Sequence, residues 1–199
     1  MKRVLSIQDI SCIGKCSLTV ALPIISAMGI ETSILPTSIL STHTMFNDFT
    51  FRDLTDDMEP IKKHWQKEGF SFDAIYTGYL GSEKQITLVK DYFKTFGNTC
   101  KYIIVDPAMA DNGKLYSGFD KDFPLKMAKL CKYADVILPN ISEAAFMTGM
   151  PYPGENASNE CIKDLLLSLA KLGSKKIVIT GVESADHKFG FMGYDSETK

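Results

Sequence analysis

Short, nearly continuous apolar runs alternate along this chain with longer stretches whose apolar residues recur at helical spacing. The runs predict strands over 3–7 (RVLSI), 32–40 (TSILPTSIL), 72–81 (FDAIYTGYLG), 101–109 (KYIIVDPAM), 136–138 (VIL) and 175–181 (KKIVITG). The helical spacing predicts helices over 14–29, 54–69, 82–96, 122–133, from Ile141 onward, and over 158–172. Gly29, Gly69 and Gly173 close three of them, as a residue free to turn left-handed should.

Strands separated by helices of this length imply βαβ units and a mostly parallel sheet. The runs are apolar throughout instead of alternating, so the sheet should be covered by helices on both faces. YPGENASN (152–159) reads as a surface loop, and STHTMFNDFTFRD (41–53) as a polar and aromatic flap too irregular for a core helix. The tail HKFGFMGYDSETK (187–199) reads as a strand reaching a turn. With no later strand to pair with, it implies that more chain should follow. No repeat, low-complexity tract or linker divides the 199 residues, so one domain is expected over 1–199.

Composition narrows the function. With 22 basic and 24 acidic residues and no like-charge block, neither a nucleic-acid footprint nor a polybasic membrane contact is expected. No run approaches the ~18 apolar residues of a membrane span. MKRVLSIQ enters a strand directly, without the apolar core of a secretory signal. Five scattered cysteines fit free thiols in a reducing cytoplasm, and Cys12 and Cys16 have no second ligand pair at zinc spacing. The expected partner is a small molecule or another protein.

In open α/β sheets ligands bind outside the carboxyl ends of the strands. Those ends carry Gln8, Asp9 and Ser11; Ser41, Thr42, His43 and Thr44; Tyr79; Asp106; Asn140 and Glu143; and Thr180. Each also has an ordinary explanation. Asp106-Pro107 starts a turn, and Asn140 with Glu143 has the spacing of a helix capping box. Their joint placement favours a site, in which Asp106 and Glu143 could share a hydrated Mg²⁺. Neither a P-loop nor a Rossmann glycine fingerprint is present.

Taken in order, VLSIQDISCIG, STHT, TGYLGS, VDPAMADNG, ADVILPNISEAAFMTG and KKIVITG resemble the pyridoxal kinases of the ribokinase-like superfamily. The resemblance covers essentially the whole chain. It implies a three-layer ribokinase-like α/β fold and transfer of the ATP γ-phosphoryl group to the 5′-hydroxymethyl of pyridoxal, pyridoxine or pyridoxamine. By the same resemblance, Asp9 stands where many relatives carry a serine touching the pyridine ring, with Ser11 as an alternative. His43 and Thr44 would meet the vitamer from the flap, and Tyr79 would close over its ring. Asp106 would lie near the phosphates and cation, Asn140 and Glu143 would order Mg²⁺, and Thr180 would contact ATP phosphate. A homodimer is implied as well, with a monovalent cation requirement left open.

The family's Gly-x-Gly-Asp segment, which supplies an anion hole and the catalytic base, has no match here; the nearest string is GYD at 193–195. The base is therefore expected beyond Lys199, and the 199-residue stretch alone is expected to lack appreciable kinase activity. Two other readings stay open: a hydroxymethylpyrimidine kinase, and a catalytically silent vitamer-binding protein.

Overall fold

The computed structural model describes residues 1–154, 156–183 and 188–198. Glu155 in the expected loop, and His187 and Lys199 at the ends of the expected tail strand, lie outside them. The chain packs as two compact units, 1–103 and 104–199.

Unit 1 runs β1 (Arg3–Ser11), α1 (Leu18–Ala27), β2 (Glu31–Leu40), β3 (Phe51–Asp53), α2 (Thr55–Lys67), β4 (Ala74–Thr77) and α3 (Glu83–Phe96). Its strands lie in the order β4-β1-β2-β3. The first three are parallel, with Ile7 opposite both Leu35 and Thr77, and β3 closes the edge antiparallel to β2. The apolar runs go where continuous runs must: Leu5, Ile7, Leu35 and Ile75 are fully buried. Trp65, Phe72, Tyr92 and Phe96 pack edge to face beneath α2 and α3, and the Tyr92 hydroxyl donates to the Met58 carbonyl at 2.7 Å.

Unit 2 holds β5 (Tyr102–Val105, which begins at the boundary), a two-stranded ribbon of β6 (Ala110–Asp111) and β7 (Lys114–Leu115), then α4 (Phe123–Cys131) and β8 (Val136–Ile137). It continues with α5 (Ile141–Thr148), α6 (Asn159–Lys171), β9 (Lys176–Glu183) and β10 (Phe189–Asp195). The strand order is β10-β9-β8-β5. Val105, Ile137 and Ile177 stand side by side in parallel register, and β10 runs antiparallel to β9.

Both units are thus α/β and mostly parallel, as the pattern implies, with local differences, among them shorter strands at β4 and β5 than the runs 72–81 and 101–109 predict. Strand β1 extends through Ser11, so Gln8, Asp9 and Ser11 belong to the strand, past an irregularity in its pairing between Gln8 and Ile10. Helix α1 starts only at Leu18, because Gly14, Lys15 and Ser17 all take positive φ. The flap regains strand structure at β3. The tail strand has an antiparallel partner in β9, which chain order alone did not suggest.

Candidate active site

In unit 1 the expected polar groups lie within the last residues of β1 and in the segments that follow β2 and β4. Asp9 is 4% exposed. Its Oδ2 accepts from the Ser11 hydroxyl at 3.3 Å, and Ser17 also hydrogen-bonds to it. Its Oδ1 is buried with no hydrogen-bond partner among the described residues. Burial pushes the Asp9 carboxyl above its ordinary range, and the hydroxyls of Ser17 and Ser11 only partly oppose this. Ser17 precedes α1 at φ 52°, and its side chain does not cap the helix. The sequence has turned a natural helix cap toward a carboxylate instead.

Tyr79 lies two residues beyond Thr77, which pairs with Ile7 at the end of β4. Burial raises the Tyr79 phenol above its usual value, and the charges of Asp9 and Asp53 raise it further. The His43 ring lies against Gly14 and meets Phe46 edge to face at 4.9 Å. The Met45 N–H donates to His43 Nδ1 at 3.3 Å, which puts the neutral ring's proton on Nε2. Thr44 is half-buried beside it.

In unit 2 Asp106 and Asn140 follow the ends of β5 and β8, and the Asn140 backbone pairs with Thr180 of the neighbouring β9. The Thr180 N–H donates to the Pro139 carbonyl at 2.9 Å, and Asn140 bridges Thr180. Thr180 itself lies inside β9, exposed, just before the left-handed Gly181. Asn140 and Glu143 do form a capping box: Asn140 Oδ1 accepts from the Glu143 N–H at 2.9 Å, and Glu143 Oε2 from the Asn140 N–H at 2.8 Å. The box also reaches further. Glu143 Oε1 accepts from the Met109 N–H at 3.1 Å, and Asn140 Nδ2 donates to the Ala110 carbonyl at 2.8 Å.

Glu143 is only 3% exposed. Burial raises its proton affinity well above that of a free carboxyl, the neighbouring charge of Asp106 raises it more, and the backbone N–H groups of Asn140, Met109 and Ala110 oppose the rise. Two hard carboxylates that disfavour each other's ionisation suit a magnesium ion, whose charge would relieve them. Asp106 is the more accessible of the two, since both Glu143 oxygens already accept from backbone.

Two contributors escaped sequence reasoning. The β6–β7 ribbon seats α5: the Gly113 N–H donates to Ser142 Oγ at 2.8 Å, and the Tyr152 ring packs where a Gly113 side chain would be. Its signal was the Asn112-Gly113 pair, both at positive φ as a tight hairpin requires. The other is Gln85, signalled by the Ser-x-x-Gln spacing at the start of α3.

An open α/β architecture with polar groups at its carboxyl edge defines the class. The chain belongs to the phosphomethylpyrimidine kinase family, which matches residues 31–196. It is similar to a Bacteroides thetaiotaomicron VPI-5482 protein solved with pyridoxal, at 40% identity and a TM-score of 0.92 over 100% of this chain and 70% of that one. It is also similar to the pyridoxal kinase of Lactobacillus plantarum, at 33% identity and a TM-score of 0.84 over 98% of this chain and 73% of that one. The pyridoxal kinase PdxY of Actinobacillus pleuropneumoniae is 27% identical over 90% of this chain. The chain spans 35% to 63% of the length of the curated relatives it matches.

Proposed function

We propose that the protein is an ATP-dependent kinase that phosphorylates the 5′-hydroxymethyl group of a B6 vitamer: pyridoxal, pyridoxine or pyridoxamine. The observation that carries this reading is Asp9 in unit 1, a buried carboxyl whose Oδ1 has no hydrogen-bond partner among the described residues, with Tyr79 near enough for the Asp9 charge to act on its phenol. A polar aromatic ligand supplies both a ring to stack and a donor for that oxygen. The relative solved with pyridoxal supports the same choice.

Unit 1 carries the vitamer groups (Asp9, Ser11, His43, Thr44 and Tyr79) and unit 2 the nucleotide groups (Asp106, Asn140, Glu143 and Thr180). Asp106 and Glu143 would hold Mg²⁺, which when bound neutralises phosphate charge. Asn140 fixes the start of α5 so that Glu143 keeps its place, and Thr180 offers a hydroxyl to phosphate. In the transfer the vitamer hydroxyl oxygen bonds to the γ-phosphorus as the bond to the β-phosphate oxygen breaks, and ADP leaves. The hydroxyl proton passes to a base that we assign to no residue of this chain. A cytoplasmic homodimer completes the reading.

The family's name favours a second reading, in which a hydroxymethylpyrimidine takes the vitamer's place. Turnover of the natural full-length gene product with Mg·ATP, comparing the three vitamers with hydroxymethylpyrimidine, tests both. A vitamer preference is expected. A pyrimidine preference would overturn it, and vitamer binding without turnover would mark a silent binding protein.

A further inference from the structure

Gln85 is buried on the first turn of α3, and no catalytic step proposed above uses it. Its carboxamide is nevertheless one of the most heavily used side chains in unit 1. Oε1 accepts from the Gly81 N–H at 2.8 Å. Nε2 lies 3.0 Å from the Thr37 carbonyl, 3.0 Å from Thr55 Oγ1 and 3.1 Å from Asp53 Oδ1. One amide therefore ties together β2, β3, the start of α2 and the loop after β4. Two N–H groups serve three acceptors, so the ties are shared and all four segments must stand in register at once.

Two of those segments matter for the vitamer. Asp53 ends the flap, and its Oδ1 also accepts from the Thr55 N–H at 2.8 Å and from the Thr55 hydroxyl. Gly81 ends the loop that carries Tyr79, and the Tyr79 ring passes over it, with Cε1 3.6 Å and the hydroxyl 3.7 Å from where a Gly81 Cβ would lie. The other side of Tyr79 is held too: its carbonyl accepts from the Thr37 hydroxyl at 3.3 Å. The backbone of Tyr79 is thus clamped between Thr37 and Gly81, and Gln85 reaches both clamps. A leucine in its place would fill the volume and leave the Gly81 N–H without its acceptor.

We propose that Gln85 is a positioning residue for vitamer binding, fixing the Tyr79 loop and the flap's exit strand in one register through its carboxamide. The inference rests on the functional reading of Tyr79 above. Its chemistry is fixed geometry: a ring must stand where the ligand's ring will stack before the ligand arrives.

The test compares Gln85→Met and Gln85→Glu with the natural full-length protein. Methionine keeps the bulk and loses every hydrogen bond; glutamate keeps the acceptor for Gly81 and loses the donors. Gln85→Met should raise the KM for the vitamer about tenfold and leave that for Mg·ATP within about twofold, a split that a loss of folded fraction alone would not produce. Hydrogen exchange at 78–82 and at 51–55 should speed up in Gln85→Met. In Gln85→Glu the change at 78–82 should be smaller than in Gln85→Met, because the acceptor for Gly81 remains. An unchanged vitamer KM, or parallel rises for both substrates, overturns the proposal. If the natural protein turns over no vitamer, the functional reading fails on its own, and exchange decides the clamp: unaltered protection at 78–82 in Gln85→Met overturns it. Should Gln85→Glu fail to fold, Gln85→Met carries the decision alone.

Discussion

Gly14 and His43 are in contact so close that a side chain on the glycine is impossible without moving the imidazole. A Cβ built on Gly14 would stand 2.0 Å from His43 Cδ2, and the backbone there holds φ 114°. Glycine is thus required twice over, by space and by dihedral. The pair links the β1–α1 loop to the flap.

Gly14→Ala should therefore act on the flap first. The strained dihedral costs about 1–3 kcal/mol, and the displaced imidazole loses its position. We expect the vitamer KM to rise about tenfold or more, equivalent to about 1.4 kcal/mol, with the Mg·ATP KM little changed. Steady-state kinetics on both substrates checks this; a parallel rise in the two would argue against a flap-specific effect.

Asp9 should make the protein less stable as pH rises. Its folded-state pKa is raised above the ordinary carboxyl value of 3.8, so between the two values the folded state binds more protons than the unfolded one. Stability then falls as pH increases through that window, and the penalty is absent below it. Asp9→Asn removes the titration. Its melting temperature relative to the natural protein should climb from acid to neutral pH, as a thermal-melt series would show. A flat difference would mean that a ligand-free Asp9 carries no such penalty.

Glu143 and Asp106 predict a cation effect of the same origin. Each disfavours the other's ionisation, so Mg²⁺ with nucleotide should raise the melting temperature by mass action. Asp106→Asn should reduce that rise, and chelation should abolish it. Glu143→Gln should in addition lower the baseline by about 1–3 kcal/mol, because an amide NH₂ then faces a backbone N–H that now donates to carboxylate. Loss of baseline stability with an unchanged cation response would leave Glu143 a helix cap only.

The cysteines should separate by exposure. Cys12 and Cys161 are exposed, whereas Cys131 is buried and its thiol is pushed far above its ordinary pKa, first by burial and then by Glu143 and Asp106. A thiol reagent should modify Cys12 and Cys161 at once and Cys131 only after denaturant is added. Prompt labelling of Cys131, read by peptide mass, would contradict its buried setting.

The strands and helices were largely legible because continuous apolar runs and helical spacing are local properties. The candidate site was legible to a lesser degree. Strand ends can be read from the chain, so the positions of Tyr79, Asp106 and Asn140 just past β4, β5 and β8 follow from the apolar runs that precede them, whereas Asp9 and Thr180 lie inside strands that run further than those runs indicate. The Asn140–Glu143 spacing also indicated its cap correctly. Misjudged positions trace to pairing. β1 extends through Ser11 because Ile10 and Ser11 pair with Ile39 and Leu40 past the irregularity. β10 has a partner because it pairs antiparallel with the strand before it, β9.

The sequence by itself determined the alternation of strand and helix, the parallel arrangement it demands, and which residue types stand at the strand ends. Only the tertiary structure decided which of those groups meet. It turned the Ser17 hydroxyl toward Asp9, seated His43 on Gly14, drew Met109 and Ala110 onto Glu143, and gathered four segments around Gln85. The physical reason is that a hydrophobic pattern fixes which face of an element is buried, whereas a buried polar group must find its partner across the fold, at whatever sequence distance the packing sets.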